Sequence, residues 1–165
     1  KELVDKVRMY RDHGRRTKFE YETVGYNARI DNLQAVVVQA KLQKIDQWLA
    51  KKRKICQRYT EKLKDVVITP KEASWSYHTY YVYVIEVPKE TRDALQIFLK
   101  DKGIATNIHY KFPTHTTKAF EKYGQSLPRT EYVCNNILSL PCYHSLPEHH
   151  QDYIVDAVKE FYEKH

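Results

Sequence analysis

The run Leu33-Gln34-Ala35-Val36-Val37-Val38-Gln39-Ala40-Lys41-Leu42 constrains this chain more than any other. Its apolar residues recur on nearly every side of a helix, and such a helix is usually buried against more than one neighbour. One small domain cannot cover it alone, so it belongs at a domain or subunit interface. The pattern then changes: Ile45, Trp48, Leu49, Ile55, Cys56, Tyr59 and Leu63 keep to a single helical face. The spacing predicts a long helical region from about Asp31 to Lys64. A break is expected near Gln43-Lys44, where the all-round and one-sided patterns meet.

Upstream, Leu3, Val4, Val7 and Tyr10 stand at helical spacing, as at the end of a helix whose domain lies before it. Residues 12–30 are polar and aromatic, with Gly14 and Gly25 as breakers, and read as a loop. The chain opens on Lys inside an amphipathic pattern, which is the expectation for a piece of a longer protein. Downstream the texture becomes mixed. Val66-Val67-Ile68 is a short apolar run ended by Pro70, and Tyr77 to Val87 reads as a strand closed by Pro88. Tyr80, Tyr81 and Tyr83 are assigned to sheet packing. Thr91 to Lys102 reads as a helix with Leu95, Ile97, Phe98 and Leu99 inward and Gly103 as its stop.

Ile104 to His109 reads as a strand. Thr116 to Tyr123 and Arg129 to Asn136 read as short helices around a Gly124–Pro128 loop. Leu138-Ser139-Leu140 is a short strand stopped by Pro141. The last helix is placed from Ser145, with Glu148 completing a capping box, and turns Ile154, Ala157, Val158, Phe161 and Tyr162 inward. The fold class is therefore α+β: long interface helices, then a small C-terminal sheet with helices packed on one face. The expected divisions are 1–30, 31–65 and 66–165.

Composition narrows the function classes. The chain has 165 residues, 42% hydrophobic and 30% charged, an ordinary globular balance. No apolar run approaches the ~20 residues of a membrane span. Cys56, Cys134 and Cys142 have no paired spacing, and an odd count points to free thiols in a reducing, cytoplasmic setting. His149 and His150 diverge by about 100° on a helix and cannot easily chelate together, so no metal site is expected. The net charge of +7 suits either nucleic acid or an anionic substrate. Its densest run, Lys51-Lys52-Arg53-Lys54, fans around a helix rather than forming a stripe and reads as a solvated face. No basic residue interleaves the aromatics between Tyr77 and Val87, as a single-strand reader would require.

Four segments carry a resemblance. Gly25-Tyr26-Asn27-Ala28-Arg29-Ile30 leads into Leu33-Gln34-Ala35, Arg11-Asp12-His13-Gly14-Arg15 precedes it, and Gly103-Ile104-Ala105-Thr106-Asn107-Ile108-His109-Tyr110 and Ile137-Leu138-Ser139-Leu140-Pro141 follow. In order and content they resemble motifs of the DegT/StrS sugar aminotransferases, fold-type-I enzymes that use pyridoxal 5'-phosphate. Ile30 stands where methionine is usual, Val36 replaces an alanine, and Lys111-Phe112 interrupts a proline run.

The resemblance implies a C-terminal portion of such an enzyme, ending in its small domain. The Schiff-base lysine and the ring-nitrogen carboxylate would lie upstream, so no catalytic residue is assigned here. Asn27 would donate to the cofactor phosphate of the neighbouring subunit; on its residues alone it reads as a turn asparagine that stabilises the loop before a helix. Arg29 would touch substrate phosphates or pin its loop. His13 and Arg15 would stand at the active-site mouth, and His109 and Tyr110 would hydrogen-bond sugar hydroxyls; each can also be a plain loop or strand-end residue. The implied partners are a nucleotide-sugar, an amino donor and a second copy of the chain, with no membrane or nucleic-acid partner. The alternative is a regulatory or nucleic-acid-binding module without transaminase activity.

Overall fold

The structure, a computed structural model, describes residues 1–164. It divides into two compact units, Lys1–Ile45 and Asp46–His165. The first holds α1 (Glu2–Tyr10), a loop, and α2 (Asn32–Leu42). No residue of either helix is buried. Leu33, Val36, Val37, Val38 and Leu42 are all largely exposed, so the all-round apolar helix finds no cover within its own unit. A turn at Gln43-Lys44 separates α2 from α3 (Ile45–Leu63), where the change of pattern placed the break.

The second unit is built on a two-stranded antiparallel sheet. β1 (Tyr83–Glu86) pairs with β2 (Ile137–Leu140), Tyr83 opposite Leu140 and Glu86 opposite Ile137. Around it stand α3, α4 (Lys89–Asp101), α5 (Pro128–Asn136) and α6 (Glu148–Lys164). Tyr59 and Leu63 of α3, Leu95 and Leu99 of α4, and Ile154, Val158 and Phe161 of α6 share one core with Tyr83, Ile85, Leu138 and Leu140. β1 alternates, with Tyr83 and Ile85 buried and Val84 and Glu86 half-buried, whereas all four residues of β2 are buried. Fully burying a Leu or Phe side chain is worth roughly 1.5–3 kcal/mol, so these inward faces supply the main cohesion of the unit. The α+β class expected from the sequence is the one observed.

Several boundaries differ from the sequence expectation. The strand expected from Tyr77 begins only at Tyr83, because Arg53 of α3 reshapes what precedes it. Its guanidinium donates to both Glu72 carboxylate oxygens at 2.9 and 2.8 Å and to the His78 carbonyl at 2.6 Å. It also lies 4.2 Å from the centre of the Tyr77 ring. The His78 amide donates to Glu72 at 2.7 Å, and the Tyr80 amide donates to His78 Nδ1 at 2.8 Å. Tyr80 takes a positive φ of 47°, which no strand residue adopts. Tyr80 and Tyr83 pack inward, but Tyr81 is turned out to solvent. Two members of the basic run thus fasten the loop, since Lys52 also donates to the Tyr81 carbonyl at 2.9 Å.

The strand expected at 104–109 shrinks to one bridge, Asn107 with Ser139. Asn107 Oδ1 accepts the amide of Ile108 at 2.8 Å, a local bond that competes with the ladder. Thr116–Tyr123 is not α-helical but two short 3-10 turns, Thr114–Thr116 and Lys118–Tyr123. Ile97 faces solvent. α6 starts at Glu148 rather than Ser145, with the Pro147 carbonyl accepting the amides of His150 and Gln151. Arg92 of α4 is buried. It donates to the carbonyls of Cys134 and Asn135 at 3.1 and 2.8 Å, at the C-terminal end of α5, where helix carbonyls lack partners and favour a cation.

The Arg53 guanidinium, then the His78 amide, hold the Glu72 carboxyl at about 2 instead of 4.5. A carboxyl whose folded value is depressed contributes stability above its unfolded value, and that contribution is lost as pH falls through the folded value. Acid unfolding of Glu72→Gln should therefore depend less on pH than the parent between pH 4.5 and 2, as read by circular dichroism. Parallel curves for the two proteins would show that the clamp carries no such linkage.

Candidate functional site

The loop between α1 and α2 brings two of the sequence motifs side by side. Asp12 and Asn27 form an antiparallel bridge. Around it the Tyr26 amide donates to the Tyr10 carbonyl at 2.7 Å, His13 to Tyr26 at 2.9 Å, and Ala28 to Arg11 at 2.9 Å. Gly14 and Gly25 make this approach possible. A Cβ on Gly25 would stand 2.1 Å from the Gly14 nitrogen, and one on Gly14 would stand 1.8 Å from the Thr23 carbonyl oxygen. Gly14 also has a φ of +76°.

Asn27 is exposed, and its carboxamide has no partner among the described residues, although its backbone is locked to Asp12. It sits in this bridged segment, five residues ahead of α2, rather than on the helix mouth itself. Asp12, which the sequence reading did not single out, organises the arginines. Arg15 clasps it through two bonds of 2.8 and 3.0 Å, while Arg29 stands off at 3.8 Å and remains half exposed. The hydrogen bond from Arg15 pulls the Asp12 carboxyl below the usual carboxylate range, and the charges of Arg15, Arg29 and His13 add to the effect. Both residues lie in a loop, where a three-residue spacing does not by itself announce a pair as it would on a helix. His13 is exposed, with a φ of 60°. A second ion pair, Arg16 with Glu22, closes the loop's far end and lowers the Glu22 carboxyl. Arg11, Arg15 and Arg16 line a cavity of about 850 Å³ in this unit, with Asp5, Asp12 and Glu22 among its acids. Neither Asn27 nor Arg29 lines it.

His109 and Tyr110 belong to the other unit. His109 Nδ1 lies 2.9 Å from Ser139 Oγ and its Nε2 lies 3.1 Å from Asn107 Nδ2. The imidazole is thus fixed between the two residues that bridge at the edge of β2. Tyr110 follows with its ring largely exposed, 5.9 Å from that of His109 and nearly perpendicular to it. His115, the next histidine, is engaged by Glu131 at 3.1 Å. Among the described residues no group of three or more His, Cys, Asp or Glu could hold a metal ion, and no helix is long and apolar enough to cross a membrane.

The first unit presents an unpaired carboxamide on a glycine-crossed loop, and the second, described by itself, fixes a histidine beside β2. The sequence model of the DegT/DnrJ/EryC1/StrS aminotransferase family matches residues 1–159, and the chain belongs to that family. It is 39% identical to a Geobacillus stearothermophilus protein named pleiotropic regulatory protein, over 98% of the chain and 45% of the relative. It is 37% identical to the dTDP-3-amino-3,4,6-trideoxy-alpha-D-glucose transaminase of Micromonospora megalomicea subsp. nigra, over 84% of the chain and 39% of that protein. The crystal structure of S. venezuelae DesV in complex with a ketimine intermediate superposes with a TM-score of 0.92 at 31% identity, covering 97% of the chain and 44% of DesV. The chain thus spans less than half the length of these relatives. Aminotransferases of the family work with pyridoxal 5'-phosphate.

Gly25→Ala should unlock the loop, because the new methyl group meets backbone rather than a movable side chain. The expected result is faster tryptic cleavage at Arg15 and Arg16, with thermal unfolding of residues 46–165 unchanged. Gly103→Ala is the control: its φ is also +76° but nothing lies within 4 Å, so it should cost only about 1 kcal/mol of backbone strain. Equal protection of the loop in Gly25→Ala and the parent would show that the crossing tolerates a side chain.

Proposed function

We propose that the protein containing this chain is a pyridoxal 5'-phosphate-dependent aminotransferase acting on a nucleotide-linked keto-sugar, and that Asn27 donates a hydrogen bond to the cofactor phosphate. The observation that carries the reading is the state of Asn27: backbone locked against Asp12, side chain exposed and unpaired. An amide presented in this way fits an anionic oxygen without first breaking another bond. The cofactor, when bound, supplies the electron sink through which an amino group passes from donor to sugar.

The remaining roles are assigned as part of the same proposal. Arg29 is the less committed of the two arginines on Asp12 and is our choice for a substrate phosphate, to which a guanidinium donates two parallel bonds. Arg15, clasped by Asp12, acts as a positioning group with donors to spare, and His13 lines the same loop. His109 has its ring fixed by Ser139 and Asn107 and orients Tyr110, whose exposed hydroxyl suits a sugar hydroxyl. The divisions 1–30, 31–65 and 66–165 then correspond to active-site loop, interface helices and small domain. The exposed apolar surface of α2 is proposed as the face shared with the rest of the enzyme and with a second subunit, so that Asn27 serves the neighbouring site. The cofactor-bearing lysine is proposed to lie outside these 165 residues, leaving the isolated chain without transaminase activity.

Asn27→Ala in the intact enzyme tests the central claim. A hydrogen bond to a charged partner is worth roughly 1.5–3 kcal/mol, so the cofactor dissociation constant should rise about 10- to 100-fold. The melting temperature of the apo form should hold. Unchanged affinity with a lowered apo melting temperature would make Asn27 a loop residue only. A heterodimer of Asn27→Ala with a variant lacking the cofactor-bearing lysine decides whether the contact crosses subunits: one complete site survives if it does, none if it does not.

The name of the Geobacillus relative favours a second reading, a regulatory protein. A nucleic-acid reader with this charge would bind duplex DNA with a steep negative dependence on salt. Transaminase turnover without such binding selects the enzyme.

A further inference from the structure

Two cysteines without paired spacing in the sequence meet in the fold. Cys56 Sγ and Cys142 Sγ lie 3.1 Å apart, about 1 Å beyond a disulfide bond length. Cys56 stands on α3 within the core and has no exposed surface, while Cys142, next to Pro141, keeps partial access to solvent. Both belong to the unit 46–165.

The segment that carries Cys142 is fastened to α3 on either side of the thiol. Tyr59 donates its hydroxyl to the Pro141 carbonyl at 3.1 Å. The His144 ring stacks on Trp48 with centroids 4.8 Å apart and planes 24° from parallel. Tyr59 and Trp48 flank Cys56 along the helix, so the two sulfurs are held opposite each other from both directions. Their environments differ. The hydrogen bond shared with Cys56 draws the Cys142 thiol below its ordinary range, aided by the charge of Lys52 and opposed by burial. The same bond, with burial, pushes the Cys56 thiol up. A thiolate is the attacking species in exchange, so Cys142 is suited to react first and Cys56 to follow.

We propose that Cys56 and Cys142 form a reversible dithiol–disulfide pair, a redox modification site whose oxidant is a low-molecular-weight disulfide of the glutathione type. The Cys142 thiolate attacks one sulfur of the oxidant, forming a mixed disulfide and releasing the first small thiol. Cys56 then loses its proton and attacks Cys142 Sγ, breaking the mixed bond and releasing the second. The protein gives up two electrons and two protons, and one small disulfide becomes two small thiols. The product fastens α3 to the end of β2 by a covalent bond. This inference is independent of the proposed enzymatic activity.

The test uses the intact protein under native conditions. It is incubated with oxidised glutathione, remaining thiols are alkylated, and peptides are mapped by mass spectrometry without reduction. The expected product is an intramolecular peptide pair joining Cys56 to Cys142, lost on treatment with dithiothreitol. Cys56→Ser should accumulate a stable glutathione adduct on Cys142, and Cys142→Ser should leave Cys56 unmodified. The proposal is overturned if both thiols of the unsubstituted protein remain alkylatable after complete denaturation. It is also overturned if Cys142 of that protein keeps glutathione without resolving, or if the crosslinks formed run to Cys134 or between copies. The mapping of the unsubstituted protein decides even if a variant does not fold.

Discussion

Two backbones cross at Gly14 and Gly25 with no space for a side chain on either, and the candidate site in the first unit depends on that crossing. It sets the segment around Asn27 beside the segment around His13, which places Asp12 where both Arg15 and Arg29 can reach it. The glycines therefore act on chemistry they never touch. They fix the backbone, the backbone fixes a carboxylate, and the carboxylate sorts two arginines into one that is clasped and one that stands off at 3.8 Å, half exposed. Substitutions here act as geometry before they act as charge.

The parts of the fold legible in the sequence were those set by local periodicity. The one-sided pattern of α3 gave its buried face at Ile55, Cys56, Tyr59 and Leu63, and the change of pattern gave the break before it. Pro and Gly marked ends well: Pro141 after β2, Gly103 after α4. The illegible parts were set by partners far along the chain. Nothing around Tyr77 announces that Arg53, on another element, will claim the His78 carbonyl and Glu72, so a run with every strand propensity becomes a clamped loop. Asn107 likewise looks like part of a strand until its side chain takes the next amide. Candidate residues were named from motif likeness, and the loop pairing of Asp12 with Asn27 was not visible from either motif alone. The contact between Cys56 and Cys142 left no trace in their spacing, because they stand 86 positions apart in the chain, across most of the second unit.

The positive charge is likewise not a uniform coat. Arg53 and Lys52 hold the loop before β1, Arg58 and Lys62 join α3 to Asp152 of α6, Lys102 reaches Glu160, and Arg92 closes the end of α5. These cations therefore serve the fold; most of them pair with carboxylates, which leaves the net charge of +7 unchanged. The side chain of Arg29 is half exposed and stands 3.8 Å from Asp12, a looser pairing than that of Arg15 at 2.8 Å.

The small sheet has a further property. Each of its two strands is flanked on the outer side by a single bridging residue, Ile68 against Glu86 and Asn107 against Ser139. A strand's outer edge is a row of unpaired amides and carbonyls that can recruit a strand from another molecule. One-residue neighbours occupy that row without offering a new row of their own, and β2 is buried along its whole length. The outer edges of the sheet are thereby each partly occupied, which works against strand addition at that sheet.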